Sequence, residues 1–158
     1  MTEPGRPLST TATENHPLKS TLQAGIQAES KFTVDRERTI DFMGEAARVY
    51  ATPMLVRDIE MTCRNLLLAH LDPGEDSVGT RVEIDHIGAT LLGMPVEQTV
   101  RVVELNGRAV VFEVEGRDAV EPIVRGRHSR FVVDVAKTAQ RLAAKAGKAA
   151  AMKPAAGG

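Results

Sequence analysis

The sequence predicts an α+β domain in which one antiparallel sheet is covered by a single long amphipathic helix. Three observations carry this: one stretch of apolar residues at helical spacing, a later switch to two-residue alternation, and turn signals that join the alternating runs as hairpins. A chain of 158 residues holds one such domain with a real core and no second one.

Residues 31–39 open the pattern, with Phe32 and Val34 alternating as in a short strand. Residues 40–51 have mixed periodicity and fit a short helix or an ordered loop. Thr52-Pro53 then gives a strong start signal, an N-cap hydroxyl followed by proline at the first helical position. Leu55, Val56, Ile59, Cys63, Leu66, Leu67 and Leu71 recur on one helical face, and Asp72-Pro73-Gly74 ends it, so the helix spans about nineteen residues.

Beyond that stop the period becomes two. Val82, Ile84, His86 and Gly88 share one strand face, and Arg81, Glu83 and Asp85 share the other. Val96, Gln98, Val100 and Val102 repeat the pattern before a hairpin turn at Asn106-Gly107. The returning strand puts Val110, Phe112 and Val114 inward against Glu113 and Glu115 outward. Gly116-Arg117-Asp118 is expected to turn the chain into a last strand through about Val133, and residues 134–146 suit a closing helix. A strand, a connector, a long helix, four hairpin-joined strands and a final helix is the order of a hot-dog fold, a sheet wrapped round one central helix; on pattern alone other α+β sheets are the alternatives.

The expected boundaries are a mobile arm over residues 1–29, the domain over 30–146, and a flexible Ala/Lys/Gly tail over 147–158. Four Phe, one Tyr and no Trp leave no stacking platform for single-stranded nucleic acid, and a net charge of -1 argues against a general polyanion binder. Cys63 is the only cysteine, so an intrachain disulfide and a cysteine zinc site are excluded. No basic start leads into an apolar stretch and no run is apolar enough to span a bilayer, so the expected location is cytoplasmic, without a membrane partner.

Several polar residues break the apolar pattern. Glu60 falls inside the apolar arc of the long helix, where a carboxylate must be paired, hydrogen-bonded or neutralised. An ion pair with Arg57 or Arg64 would satisfy it structurally; a facing imidazole at His86 would make an acid-base pair. Thr52 is either a plain N-cap or a hydroxyl placed at the positive end of a helix. In the last strand Gly126, His128 and Arg130 share a face opposite Arg125 and Arg127. That face is either a solvated edge or a place for Arg130 beside an anionic ligand.

These residues also carry a family resemblance. The run from Ala51-Thr52 through Glu60, then LDPGEDSVGT (Leu71 to Thr80) and IDHIGAT (Ile84 to Thr90), resembles the fluoroacetyl-CoA thioesterase family of hot-dog proteins. In that family a threonine opens the central helix, a glutamate follows eight positions later, and a Pro-Gly-Glu/Ser-x-Gly-Thr turn leads into a strand with an x-His-x-Ala-Thr-like sequence. The Gly-x-His-x-Arg pattern ending in Arg130 is also similar to the family's last strand, and the resemblance covers about residues 30–140. It implies a homodimeric acyl-CoA thioesterase without metal or cofactor. Thr52, Glu60 and His86 fall on the family's catalytic positions, and Gly79 and Arg130 on substrate-binding ones. The stretch IDFMGEAARVYA is shorter than the family's aromatic lid, with only Phe42 and Tyr50 as aromatic candidates. The competing reading is a non-catalytic hot-dog that binds an acyl or CoA group. A hot-dog hydratase would need an aspartate-histidine motif on the long helix, which is missing.

Overall fold

The structure is a computed structural model that describes residues 18–152. Strand β1 (Gln27–Thr33) is followed by a short connector that holds a two-residue hairpin, β2 (Thr39–Ile40) and β3 (Val49–Tyr50). Helix α1 (Thr52–Leu68) comes next. Four long strands then run in succession, β4 (Glu75–His86), β5 (Pro95–Asn106), β6 (Ala109–Asp118) and β7 (Pro122–Asp134), and helix α2 (Val135–Ala151) closes the chain. The main sheet is antiparallel throughout, in the order β1-β5-β6-β7-β4. This is the hot-dog arrangement, with α1 against the inner face of the sheet.

The core is where the two periodicities meet. Leu55, Ile59, Cys63 and Leu67 supply the helical stripe; Val96, Val100, Val102, Val110, Phe112 and Val114 supply the inner sheet face, and all are buried. Each of these larger side chains contributes roughly 1.5–3 kcal/mol when removed from water.

The turn after β5 forms as the sequence predicts, with Gly107 at φ 59 completing a two-residue hairpin loop. The next turn does not. β6 continues through Gly116 and Arg117 to Asp118, and the chain reverses at residues 119–121. Asp118 makes that turn, because its carboxylate accepts the Val120 and Glu121 amides and the Thr90 hydroxyl. Burial pushes that carboxyl up, but the two amides and the hydroxyl outweigh it and hold it below the usual range. The threonine of IDHIGAT is therefore a turn lock, completely buried.

Other boundaries also move. Ordered structure starts ahead of residue 30, since Leu22 is in the core and Gly25 bonds to Val102; residues 1–17 lie outside the described residues. α1 ends at Leu68 in a tight turn from His70 to the Leu67 carbonyl, before the Asp-Pro-Gly stop. α2 runs through Gly147 to Ala151, beyond the expected limit at 146, started by the Asp134 carboxylate on the Lys137 amide. Among the described residues no helix is long and apolar enough to cross a membrane.

Of the two readings for the last strand one is excluded, and one expectation for β4 is corrected. β7 is not a solvated edge: it lies between β6 and β4, so His128 and Arg130 are buried. The edges of the sheet are β1 and β4; on β4, which is paired on one side only, Val78 and Val82 are exposed. Val82 was expected inside because alternation gives the face of a strand, not its place in the sheet.

Candidate active site

Thr52 is the first residue of α1, and Ala51 occupies the N-cap position without a side-chain cap bond. The Thr52 hydroxyl is thus not spent on capping. It lies 2.7 Å from His86 Nδ1, at the end of β4. His86 packs at the edge of the Tyr50 ring, 6.4 Å between centroids, and its Nε2 is shielded from solvent with no hydrogen-bond partner. Burial pushes the imidazole below the usual histidine range, opposed by the Gly88 backbone. A threonine hydroxyl on a largely neutral imidazole is a nucleophile-base pair in geometry.

The helix end itself offers less than its position suggests. Pro53 has no N–H, and the Met54 and Leu55 amides already donate to the Ala51 carbonyl, at 3.0 and 2.9 Å. Its contribution near Thr52 is chiefly the dipole.

Glu60 is elsewhere. Eight residues along a helix is about 12 Å, so Glu60 sits two turns away from Thr52. The ion pairs proposed for it with Arg57 or Arg64 do not form; Arg57 is near Asp58, and Arg64 takes Asp76 at 2.6 Å. The Glu60 Oε1 is instead 3.7 Å from Arg130 Nη1 and 3.9 Å from His128 Nε2. Gly79 faces the same carboxylate, and a Cβ there would overlap Oε1 and crowd His128, so a larger residue would displace the Glu60 carboxylate from this place. Arg130 is anchored by Ser77: Nε donates to Ser77 Oγ at 2.7 Å, and Nη2 to the Ser77 carbonyl at 2.8 Å. The structure therefore brings the five sequence candidates together in two groups, Thr52 with His86, and Glu60 with Gly79 and Arg130.

With that arrangement in view, residues 34–136 match the family described as FlK, fluoroacetyl-CoA-specific thioesterase. The chain belongs to this family. A fluoroacetyl-CoA thioesterase of Streptantibioticus cattleyicolor is 28% identical over 127 residues, 76% of this chain and 91% of the relative. A solved structure of the fluoroacetyl-CoA thioesterase FlK has a TM-score of 0.73 and 27% identity, covering 78% of this chain and 97% of the other. A Thermus thermophilus thioesterase superfamily member has a TM-score of 0.76 and 28% identity, covering 83% and 98%.

Two features of the candidate site in this FlK-family chain are not legible in the sequence. His128 was placed on the correct face but given no role; its signal was the alternation with Arg130. The second is a buried polar chain behind His86. Tyr50 donates to Asp58, Arg38 grips the same carboxylate through Nε at 2.8 Å and Nη2 at 3.2 Å, and Gln98 donates to the Tyr50 oxygen at 3.3 Å. Asp58 falls one turn from Leu55 and Thr62, both buried, which was the available clue. The Cys63 thiol, pushed up to about 12 by burial, is no nucleophile at neutral pH.

Proposed function

We propose that this FlK-family protein hydrolyses an acyl-CoA thioester, with Thr52 as nucleophile and His86 as its base. The observation that carries the reading is the 2.7 Å contact between Thr52 Oγ1 and His86 Nδ1 at an exposed helix start. As Oγ1 attacks the acyl carbon, its proton passes to His86. Collapse of the tetrahedral adduct breaks the C–S bond, and the CoA thiolate leaves with that proton. Water, oriented by a Glu60 carboxylate, then cleaves the acyl-threonine ester and restores the hydroxyl. A CoA ligand is supported by a relative: a variant of FlK, 29% identical with a TM-score of 0.69, is known in complex with fluoroacetate and CoA.

The two groups of site residues fit a homodimer. β4 is a twelve-residue edge with an unpaired flank, the kind of edge that a second copy closes. An antiparallel pairing about a two-fold axis between Val82 and Glu83 would set Gly79, and Glu60 beside it, of one copy opposite His86 of the other. Each active centre would then take Thr52 and His86 from one chain and Glu60 from its mate.

The test is release of free thiol from a panel of acyl-CoAs. Hydrolysis that is lost in folded Thr52→Ala and retained in Thr52→Ser supports the reading. Tight CoA binding with no thiol release from any acyl-CoA would establish a non-catalytic binding protein instead.

A further inference from the structure

We propose that His128 is a positioning residue, a buried histidine of fixed tautomer that holds the Arg130 guanidinium just short of bonding to Glu60. The inference rests on Glu60 belonging to the active site, and one arm of its test does not.

The geometry defines the protons. His128 Nδ1 is 2.8 Å from the Arg81 carbonyl, which can only accept, so Nδ1 carries hydrogen. His128 Nε2 is 3.2 Å from Arg130 Nη1, which can only donate, so Nε2 presents its lone pair. The ring is neutral, with a single tautomer fixed from both sides. Its side chain is 0% exposed, and burial disfavours the imidazolium further, seconded by the Arg130 charge and opposed by the Arg81 carbonyl and Glu60. A ring with both nitrogens committed does not shuttle protons. It holds its neighbours.

What it holds is the one free edge of Arg130. Ser77 fixes Nε and Nη2, and His128 fixes Nη1, so the planar group cannot rotate. The Glu60 carboxylate lies 3.7 Å from Nη1, near enough to be balanced in charge and too far for a hydrogen bond. Its oxygens stay available, and the side chain is 39% exposed. Were the His128 acceptor removed, the Nη1 donor would have no partner but Glu60, and a small tilt about the Ser77 bonds would bring it onto a lone pair that water or substrate needs.

The backbone serves the same end. The β4–β7 register shifts between Gly79 and Arg81, with Gly79 opposite Arg130 and Arg81 opposite Ser129. Irregularities of this kind re-aim groups next to active sites. Here the shift sets the Gly79 backbone against Glu60 and the Arg81 carbonyl against His128.

Two substitutions separate positioning from packing. His128→Phe fills the space without a donor or acceptor, and His128→Gln keeps an acceptor near the place of Nε2. With the acyl-CoA that the panel identifies, His128→Phe should lower kcat about 10–100-fold with KM changed less than about threefold, the pattern of a lost transition-state interaction. His128→Gln should recover to within about fivefold, and Ser77→Ala, which loosens Arg130 from its other side, should reproduce part of the kcat loss. Independently of any activity, 15N NMR of the wild-type imidazoles at pH 7 should show His128 as the neutral Nδ1–H form. An Nε2–H or doubly protonated His128, or wild-type kcat in folded His128→Phe, overturns the proposal. An inactive wild-type enzyme with the expected tautomer would overturn the thioesterase reading alone.

Discussion

Thr52 and Glu60 stand two turns apart on one helix, and each faces a different histidine. The Thr52 hydroxyl is 2.7 Å from His86 Nδ1, whereas the Glu60 carboxylate is 3.9 Å from His128 Nε2. A single chain therefore does not assemble threonine, histidine and glutamate around one point. A dimer closed along β4 offers a way to do so, with a genetic consequence. Glu60→Gln and His86→Ala should each lower turnover at least about a hundredfold while the fold survives, since neither opens a large cavity. Mixing the two inactive variants under conditions that exchange subunits should restore activity. A hybrid dimer would carry one doubly altered centre and one intact centre. If the residues act within one chain, every centre in the hybrid is damaged and no activity returns; a protein that stays monomeric at micromolar concentration would also sink the shared-site arrangement.

One buried and one half-buried histidine make stability sensitive to mild acid. His86 and His128 both have their pKa lowered below 6.5 by burial. As pH falls below about 6.5 the unfolded chain takes up these protons before the folded one does, so folding loses stability. The loss runs until the folded pKa values are reached, at up to about 1.4 kcal/mol per pH unit for fully buried His128 and less for His86, which water screens. Urea midpoints should be flat from pH 8 to 7 and fall between pH 6.5 and 5. A midpoint independent of pH over that lower range would contradict the buried neutral state of His128.

The chain Arg38–Asp58–Tyr50–Gln98 ties the connector before α1 to the helix and to β5. Arg38 also lies 4.5 Å over the Phe32 ring, so the connector is clamped rather than loose. Removing the shared acceptor leaves a guanidinium and a buried phenol without it. Arg38 keeps its pair with Asp35, so Asp58→Ala should cost about 2–3 kcal/mol, the size of lost hydrogen bonds to a charged group. Tyr50→Phe, which deletes one donor of the chain, should cost only about 1 kcal/mol. Denaturation midpoints of the two variants check the order; equal losses would mean that Asp58 is not the hub.

The legible parts of the fold were those in which period and burial coincide. Leu55, Ile59, Cys63 and Leu67 on α1, and Val110, Phe112 and Val114 on β6, are buried as their spacing predicts. Glu60 and His86 could be singled out as polar residues on apolar faces, and Thr52 as a hydroxyl at a helix start, but spacing carries no distance across the fold. It did not show that Glu60 reaches β7 instead of His86. The turn at 119–121 was hidden because a carboxylate, not a glycine, makes it. His128 was hidden because sequence alternation does not tell an edge strand from an interior one.

Substrate choice is where this chain should part from the fluoroacetyl-CoA enzymes it resembles. Telling fluorine from hydrogen demands a closely fitted pocket, since apolar fit alone gives about 1–3 kcal/mol per methylene-sized difference. The connector that would build such a pocket has two aromatic rings, and neither closes one in this chain. Phe42 is 85% exposed at the tip of the β2–β3 hairpin, braced below by Arg36 and Arg48 on Glu45. Tyr50 is buried in the core with its hydroxyl on Asp58. Ile59 also belongs to the core, which leaves half-buried Val56 and exposed Val82 nearer the surface. The expected outcome is modest or no preference for fluoroacetyl-CoA over acetyl-CoA, with better activity on another acyl-CoA, and a Phe42→Ala change altering the ratio less than about threefold. The ratio of kcat/KM for the two substrates under identical conditions decides it. A ratio above about a thousand, roughly 4 kcal/mol, would mean that the short connector selects fluorine after all.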